Sequence, residues 1–242
     1  MNMLSSYYAQ LWQTQALHEV TGENPLCYTR PIMIITSHGG ECIRISAGDT
    51  TLVFGPVSKK SKNLKPINFG ADVAFVSVKH PDMDGGEEAS RNGSDAFVIT
   101  GAGEYEVKAM TANGFETPTS YDGKTINTAY LVSFDGMTVL YLGALGEAKL
   151  PAGAMEDVES IDVLFVPIGG EGVLSASEAH KLAIQLEAKV IVPIHWDGIG
   201  EAAALKQFLK EAGKDGLKPV EKLTLKPKDV LPMVSEVVVL SS

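Results

Sequence analysis

Three short runs of apolar residues, at 71–78, 163–167 and 189–193, constrain the fold most. Each is too short for a globular helix and too uniformly apolar for a strand with one wet face. Asp72 is the only charge in the first run, and Lys189 the only one in the last. Such runs fit strands buried on both faces, the pattern of parallel strands inside a layered α/β protein. Each is followed by a polar or glycine-rich turn: the segment 79–88, Gly169-Gly170, and His195-Trp196-Asp197. Open α/β sheets place their ligand sites at such strand ends.

The rest of the chain reads as further strands with a helical second half. Strands are expected at 31–36, 42–47 and 51–54, with Gly39-Gly40 and Gly48-Asp49 supplying the turns. Strands follow at 96–100 and 104–110. The segments 125–134 and 137–142 straddle Asp135-Gly136, a hairpin signal, because both turn residues must adopt positive φ. Ser175 with Glu178 three residues on predicts a capped helix over 176–187. A second helix is expected over 201–212, stopped by Gly213, and late strands over 221–225 and 236–240. Two sheets, each with covering helices, predict one layered α/β domain from residue 33 to 242. Residues 1–32 read as an extension, with Leu4, Tyr8, Leu11 and Trp12 at helical spacing over 3–18.

Composition narrows the function. Apolar residues make up 45% of the chain, enough for a sizeable core. Twenty Lys and Arg against thirty Asp and Glu give a net charge of −10, which argues against a nucleic-acid or anionic-membrane binder. The lysine-rich loop at Lys59, Lys60, Lys62 and Lys65 fits a solvated surface. Cys27 and Cys42 are the only cysteines, so a disulfide scaffold or cysteine-rich zinc module is ruled out. Cys42 reads as a small buried hydrophobe. No secretory signal pattern stands at the start, so the cytoplasm is the expected location.

Five histidines are few for an imidazole metal centre: His18, His38, His80, His180 and His195. His80 with Asp82 follows the first buried run, and His195 follows the last. A zinc site needs about three protein ligands and an open position. Two are local here, and the third must come from far along the chain. The glycine turn 101–103 lacks a following helix and does not fit a dinucleotide loop. Gly169-Gly170-Glu171-Gly172 precedes the capped helix and reads as a loop, with an anion at the helix start as the alternative. No G-x-S-x-G nucleophile motif is present.

An ordered set of segments carries a resemblance: TSHGGEC (36–42), GAGEYEV (101–107), NTAYL (127–131), YLGALG (141–146), VLFVPIGG (163–170) and VPIHW (192–196). Together they make the chain resemble the metallo-β-lactamase fold family. The narrower likeness is to its bacterial metal-dependent hydrolases, the branch that includes L-ascorbate-6-phosphate lactonase-like proteins. The resemblance implies a four-layer αββα sandwich and a dinuclear zinc centre that supplies a metal-bound hydroxide.

The resemblance also implies a ligand pattern, H-x-H-x-D-H, which here reads Val78-Lys79-His80-Pro81-Asp82-Met83. Tyr121 stands where a middle histidine is expected, and Ala144 where a bridging aspartate is expected. His80, Asp82 and His195 therefore remain, while Val78, Met83, Tyr121 and Ala144 replace four of seven ligands. The expectation is a protein that has lost the dinuclear site and hydrolase activity, needs no cofactor, and binds a small molecule or a protein. The alternative is an active hydrolase with one zinc or other divalent ion, recruiting Asp84, Glu104 or Asp122. A homo-oligomer stays open.

Overall fold

Side-chain alternation along the strands sorts residues between an inner core and outer layers. In the computed structural model, which describes residues 32–90, 93–155 and 158–242, Leu52 and Phe54 face inward while Val53 between them faces outward. The first sheet has the order β12-β1-β2-β3-β4-β5. Its strands are β1 (Met33–Ser37), β2 (Ile43–Ala47), β3 (Thr50–Phe54), β4 (Val73–Phe75), β5 (Phe97–Ile99) and β12 (Leu223–Leu225). β1, β2 and β3 pair antiparallel, whereas β3, β4 and β5 pair parallel.

The second sheet has the order β13-β11-β10-β9-β8-β7-β6. It contains β6 (Gly103–Val107), β7 (Met110–Pro118), β8 (Ile126–Phe134), β9 (Met137–Tyr141), β10 (Val163–Pro167), β11 (Val190–Ile194) and β13 (Glu236–Val237). β6 to β9 form an antiparallel meander, and β9, β10, β11 and β13 run parallel. The two sheets close on a shared core in which Phe54, Phe75, Tyr130, Tyr141 and Phe165 are fully buried. Phe54 and Phe75 stack with ring centroids 4.4 Å apart.

The outer face of the second sheet is apolar through Leu140, Leu142, Leu164, Val166 and Ile191. Helix α1 (Ala176–Gln185) covers it with Ala179, Leu182 and Ala183, and helix α2 (Ala204–Glu211) with Ala204, Phe208 and Leu209. A short α3 (Pro227–Val230) follows. On the first sheet, Val53 and Ala74 pack against Val57, Leu64, Ile67 and Phe69 of the segment after β3. This is the mixed-sheet sandwich that the buried runs predict.

Several elements differ from the sequence expectation in extent. The run 71–78 is regular strand only over Val73–Phe75, because beyond Phe75 the chain leaves the ladder to begin the site loop. The strand expected at 104–110 ends at Val107. Lys108 at φ 52° turns the chain, and β7 runs on through Asn113-Gly114. Helix α2 starts at Ala204 rather than Glu201, because Glu201 N–H bonds back to Gly169 O. The last strand is short; beyond it Val238 N–H donates to Ile191 O, and Val220 bonds to Val239 O and Ser241 N–H. The hairpin at Asp135-Gly136 has both residues at positive φ, at 51° and 73°. The helix expected over 3–18 lies outside the described residues. Among the described residues no helix is long and apolar enough to cross a membrane.

Candidate functional site

The site forms where the loops after β1, β3, β4, β7, β9, β10 and β11 meet. Its base is a buried polar knot around Glu41, which is fully buried between β1 and β2. His195 Nδ1 donates to Glu41 Oε1 over 2.6 Å. Ser77 Oγ donates to Oε2 at 3.1 Å, and Tyr141 OH at 3.2 Å. Tyr141 OH also reaches the Glu41 carbonyl oxygen at 3.1 Å. Burial first, and then the Glu41 charge, hold the Tyr141 phenol well above its ordinary pKa, so it is a proton donor. Glu41 thus ties Ser77 of the first sheet to Tyr141 and His195 of the second.

His195 is fixed further by its backbone. It lies at φ 60°, a left-handed conformation costly for a non-glycine residue, and its N–H donates to Gly40 O at 2.8 Å. Gly169 makes the close approach here: a Cβ on it would lie 2.2 Å from His195 O and 2.6 Å from the imidazole. With Nδ1 on Glu41, the other ring nitrogen, Nε2, is buried with no hydrogen-bond partner among the described residues.

The second polar group centres on Asp82, whose side chain is buried. Asp82 Oδ1 accepts from Ser61 Oγ, and Oδ2 accepts from Asn63 Nδ2 at 2.9 Å and Tyr121 OH at 2.9 Å. Burial alone would push this carboxyl up. The three hydrogen bonds and the nearby His80 outweigh burial and hold it below the usual carboxylate range. His80 Nδ1 accepts the Asp82 backbone N–H at 3.3 Å, and its Nε2 pairs with Asp122 Oδ2 at 2.9 Å. The Asp122 side chain is 71% exposed, so this pair sits at the rim.

Between the two groups the lining is apolar. Val78, Met83, Tyr121, Ala144 and Val173 form one buried cluster, with Ile199 packed against it. Val78, Met83, Tyr121 and Ala144, which the resemblance sets against ligand positions, thus fall in one apolar cluster. Tyr121 is central: its ring is perpendicular to His195, with centroids 4.8 Å apart, and nearly so to His80 at 5.2 Å. Burial and the Asp82 carboxylate push the Tyr121 phenol far above its ordinary pKa, so it remains a donor.

The structure brings His80, Asp82, His195 and Asp122 around Tyr121, but it does not bring Asp84 or Glu104 to them. Asp84 is an exposed residue beside Lys79, Glu87, Glu88 and Lys60; partial desolvation first, and then the charges of Glu87 and Glu88, raise its pKa. Glu104 lies on the edge strand β6 and lines a separate groove with Glu106, Thr111, Asn113 and Ser133. Among the described residues, no three His, Cys, Asp or Glu side chains are grouped to hold a metal ion. The chemistry of the donors agrees. Asp82 already accepts three hydrogen bonds, His80 is engaged at both nitrogens, and the remaining lining is hydrocarbon and thioether. The residues present do not fit a dinuclear zinc centre.

Sequence reasoning missed Glu41, Ser77, Tyr141, Ser61 and Asn63. Glu41 is separated from His195 by 154 residues, and no local pattern distinguishes a buried carboxyl in a glycine turn from an exposed one. The one available signal was its position, directly before the apolar strand β2. Asn127 was also missed. It is fully buried, donates to Thr117 and Leu142 O, and accepts from Ala144 N–H, which fixes the loop after β9.

The two-sheet sandwich, with its polar residues gathered after β4 and β11, defines a metallo-β-lactamase-type protein. The family model described as beta-lactamase superfamily domain matches residues 34–195, two-thirds of the chain, and the protein belongs to that family. It is 26% identical over 199 residues to a metal-dependent hydrolase of Bacillus velezensis, an alignment spanning 68% of this chain and 86% of that one. A metal-dependent hydrolase of Geobacillus thermodenitrificans is 28% identical over 200 residues, with the same coverage. Among solved structures, a protein of Thermotoga maritima described as a Zn-dependent hydrolase of this superfamily is similar at a TM-score of 0.64. It is 28% identical, and the match covers 86% of this chain and 98% of that one. A metallo hydrolase of Ignicoccus hospitalis shares the fold at a TM-score of 0.57 and 18% identity, covering 81% and 99%.

Proposed function

We propose that this metallo-β-lactamase-fold chain does not carry out two-metal hydrolysis and acts by binding a small molecule or a protein. The observation that carries this is the state of Asp82: its carboxylate accepts from Ser61, Asn63 and Tyr121, beside the apolar group Val78, Met83 and Ala144. A catalytic zinc must keep its ligands and an open position free. Here Asp82 and His80 are spent on protein hydrogen bonds, and hydrocarbon and thioether side chains stand beside them. A panel of lactone, phosphodiester and thioester substrates, assayed with added zinc or manganese, tests this. No turnover above the blank is expected. Turnover that needs the added ion and disappears in His195→Ala would overturn it.

One observation favours a second reading, a hydrolase with a single divalent ion. Glu41 holds His195 at Nδ1 and leaves Nε2 without a partner among the described residues, as a carboxylate behind a metal-ligating histidine does. This reading needs Asp82 to release its donors and a third ligand to arrive. Stoichiometric metal uptake would favour it.

A further inference from the structure

Tyr121 touches each of the three residues inherited at ligand positions, from three directions. Its hydroxyl donates to Asp82 Oδ2 at 2.9 Å. Its ring stands at 84° to the His80 ring and at 90° to the His195 ring. A divalent ion at such a point would neutralise the carboxylate and anchor both imidazoles. A phenol supplies weaker versions of the same contacts: a hydrogen bond to the carboxylate and aromatic packing for each imidazole. Edge-to-face packing with Tyr121 is also what His195 receives in place of a ligand to Nε2.

The turn that carries Tyr121 is itself fixed. Tyr121 N–H donates to Thr119 Oγ1 at 3.2 Å, and Ser120 N–H to Gly172 O at 3.0 Å. Asp122, at φ 44°, is tied to His80 at 2.9 Å. Gly172 lies so close that a Cβ on it would stand 2.6 Å from Tyr121 N. The glycine loop before α1 thus serves close packing on this turn and on His195. Together these contacts hold the ring in one place.

We infer that Tyr121 is a positioning residue that stands in for the metal: one tethered phenol holds His80, Asp82 and His195 together, so the site keeps its shape without any divalent ion. This rests on the reading that the chain lacks the metal centre, and it adds which residue replaces that centre. It requires that the site's stability depend on Tyr121 and not on metal, and that a coordinating side chain at 121 recreate a cation site.

The test compares the full chain with Tyr121→Phe and Tyr121→His, measuring Tm with and without EDTA and zinc uptake by calorimetry. The wild-type Tm is expected to be unchanged by EDTA or zinc. Tyr121→Phe keeps the ring but removes one of three donors to Asp82, so its Tm is expected to fall by roughly 3–8 °C. Tyr121→His is expected to take up one zinc per chain with a rise in Tm, and to lose both when His195→Asn is added. A Tyr121→Phe variant with wild-type Tm overturns the inference, as does a folded Tyr121→His variant that takes up no zinc. If Tyr121→His does not fold, the Tyr121→Phe comparison still decides. A wild-type protein whose Tm drops in EDTA contradicts instead the underlying metal-free reading, whatever the variants do.

Discussion

Replacing Glu41 by alanine removes a carboxyl that bonds to Ser77, Tyr141 and His195 beneath the site. Three donors lose their acceptor: His195 Nδ1, Ser77 Oγ and Tyr141 OH. Tyr141 retains the carbonyl oxygen of residue 41 at 3.1 Å, so two donors are stranded in the core. A buried donor left without a partner costs about 1–3 kcal/mol. Breaking a buried pair by removing one member costs about 3–5 kcal/mol. The two estimates overlap, and Glu41→Ala is expected to lose about 3–5 kcal/mol, a large share of the 5–15 kcal/mol typical of a domain. For a chain of this size that corresponds to a fall in Tm of roughly 6–20 °C. Urea denaturation followed by far-UV circular dichroism, with thermal melts alongside, measures it. Glu106→Ala on the exposed edge strand β6 is the control and should stay within about 0.5 kcal/mol of wild type. If Glu41→Ala loses less than about 1 kcal/mol, the knot is not a structural keystone and the argument built on it fails.

Asp82 gives a pH dependence with a definite sign. Its folded pKa lies below its unfolded value, so its stabilisation is present above about pH 4 and is lost as pH falls through the folded pKa. The stability gap between wild type and Asp82→Asn should therefore be full at neutral pH and shrink in acid; a gap constant from pH 6 to pH 2 would contradict the hydrogen-bonded carboxylate. Gly143→Ala should destabilise by at least about 2 kcal/mol in denaturant melts, because φ is +56° and the added Cβ would lie 2.6 Å from Asn127 Oδ1 and from Ser77 Cβ. Cys42 is fully buried, and burial pushes its thiol up to about 12. In a Cys27→Ser variant, a thiol reagent at neutral pH should label nothing in the native state and one thiol in urea.

The scaffold was legible where local chemistry decides it. Asp135-Gly136 sets the β8–β9 hairpin, and Ser175 with Glu178 forms the capping box of α1. The uniformly apolar β10 and β11 follow from burial on both faces. β7 was not legible past Met110. Asn113, Gly114 and Pro118 are residue types disfavoured in strands, yet nine residues pair with β8 from Met110 to Pro118. There the antiparallel partner overrides the local preference, and Gly114 gives room to the Tyr130 ring, which a Cβ would approach to 3.0 Å. In the site, the residues named by resemblance do gather: Val78, Met83, Tyr121 and Ala144 form one cluster, and His80, Asp82 and His195 surround it. The residues that satisfy them, Glu41, Ser61, Asn63 and Ser77, come from loops whose meeting is a tertiary fact. Ordinary polar residues in turns carry no periodicity by which to find them.

The central claim is that protein hydrogen bonds and apolar packing occupy the place of the family's metal pair. Elemental analysis of the full chain, purified without chelator and without a metal-affinity step, tests it most directly. The account predicts zinc, manganese and iron each well below one equivalent per chain, unchanged in His80→Ala and His195→Ala. One or two equivalents of a single metal, lost in either variant, would contradict it.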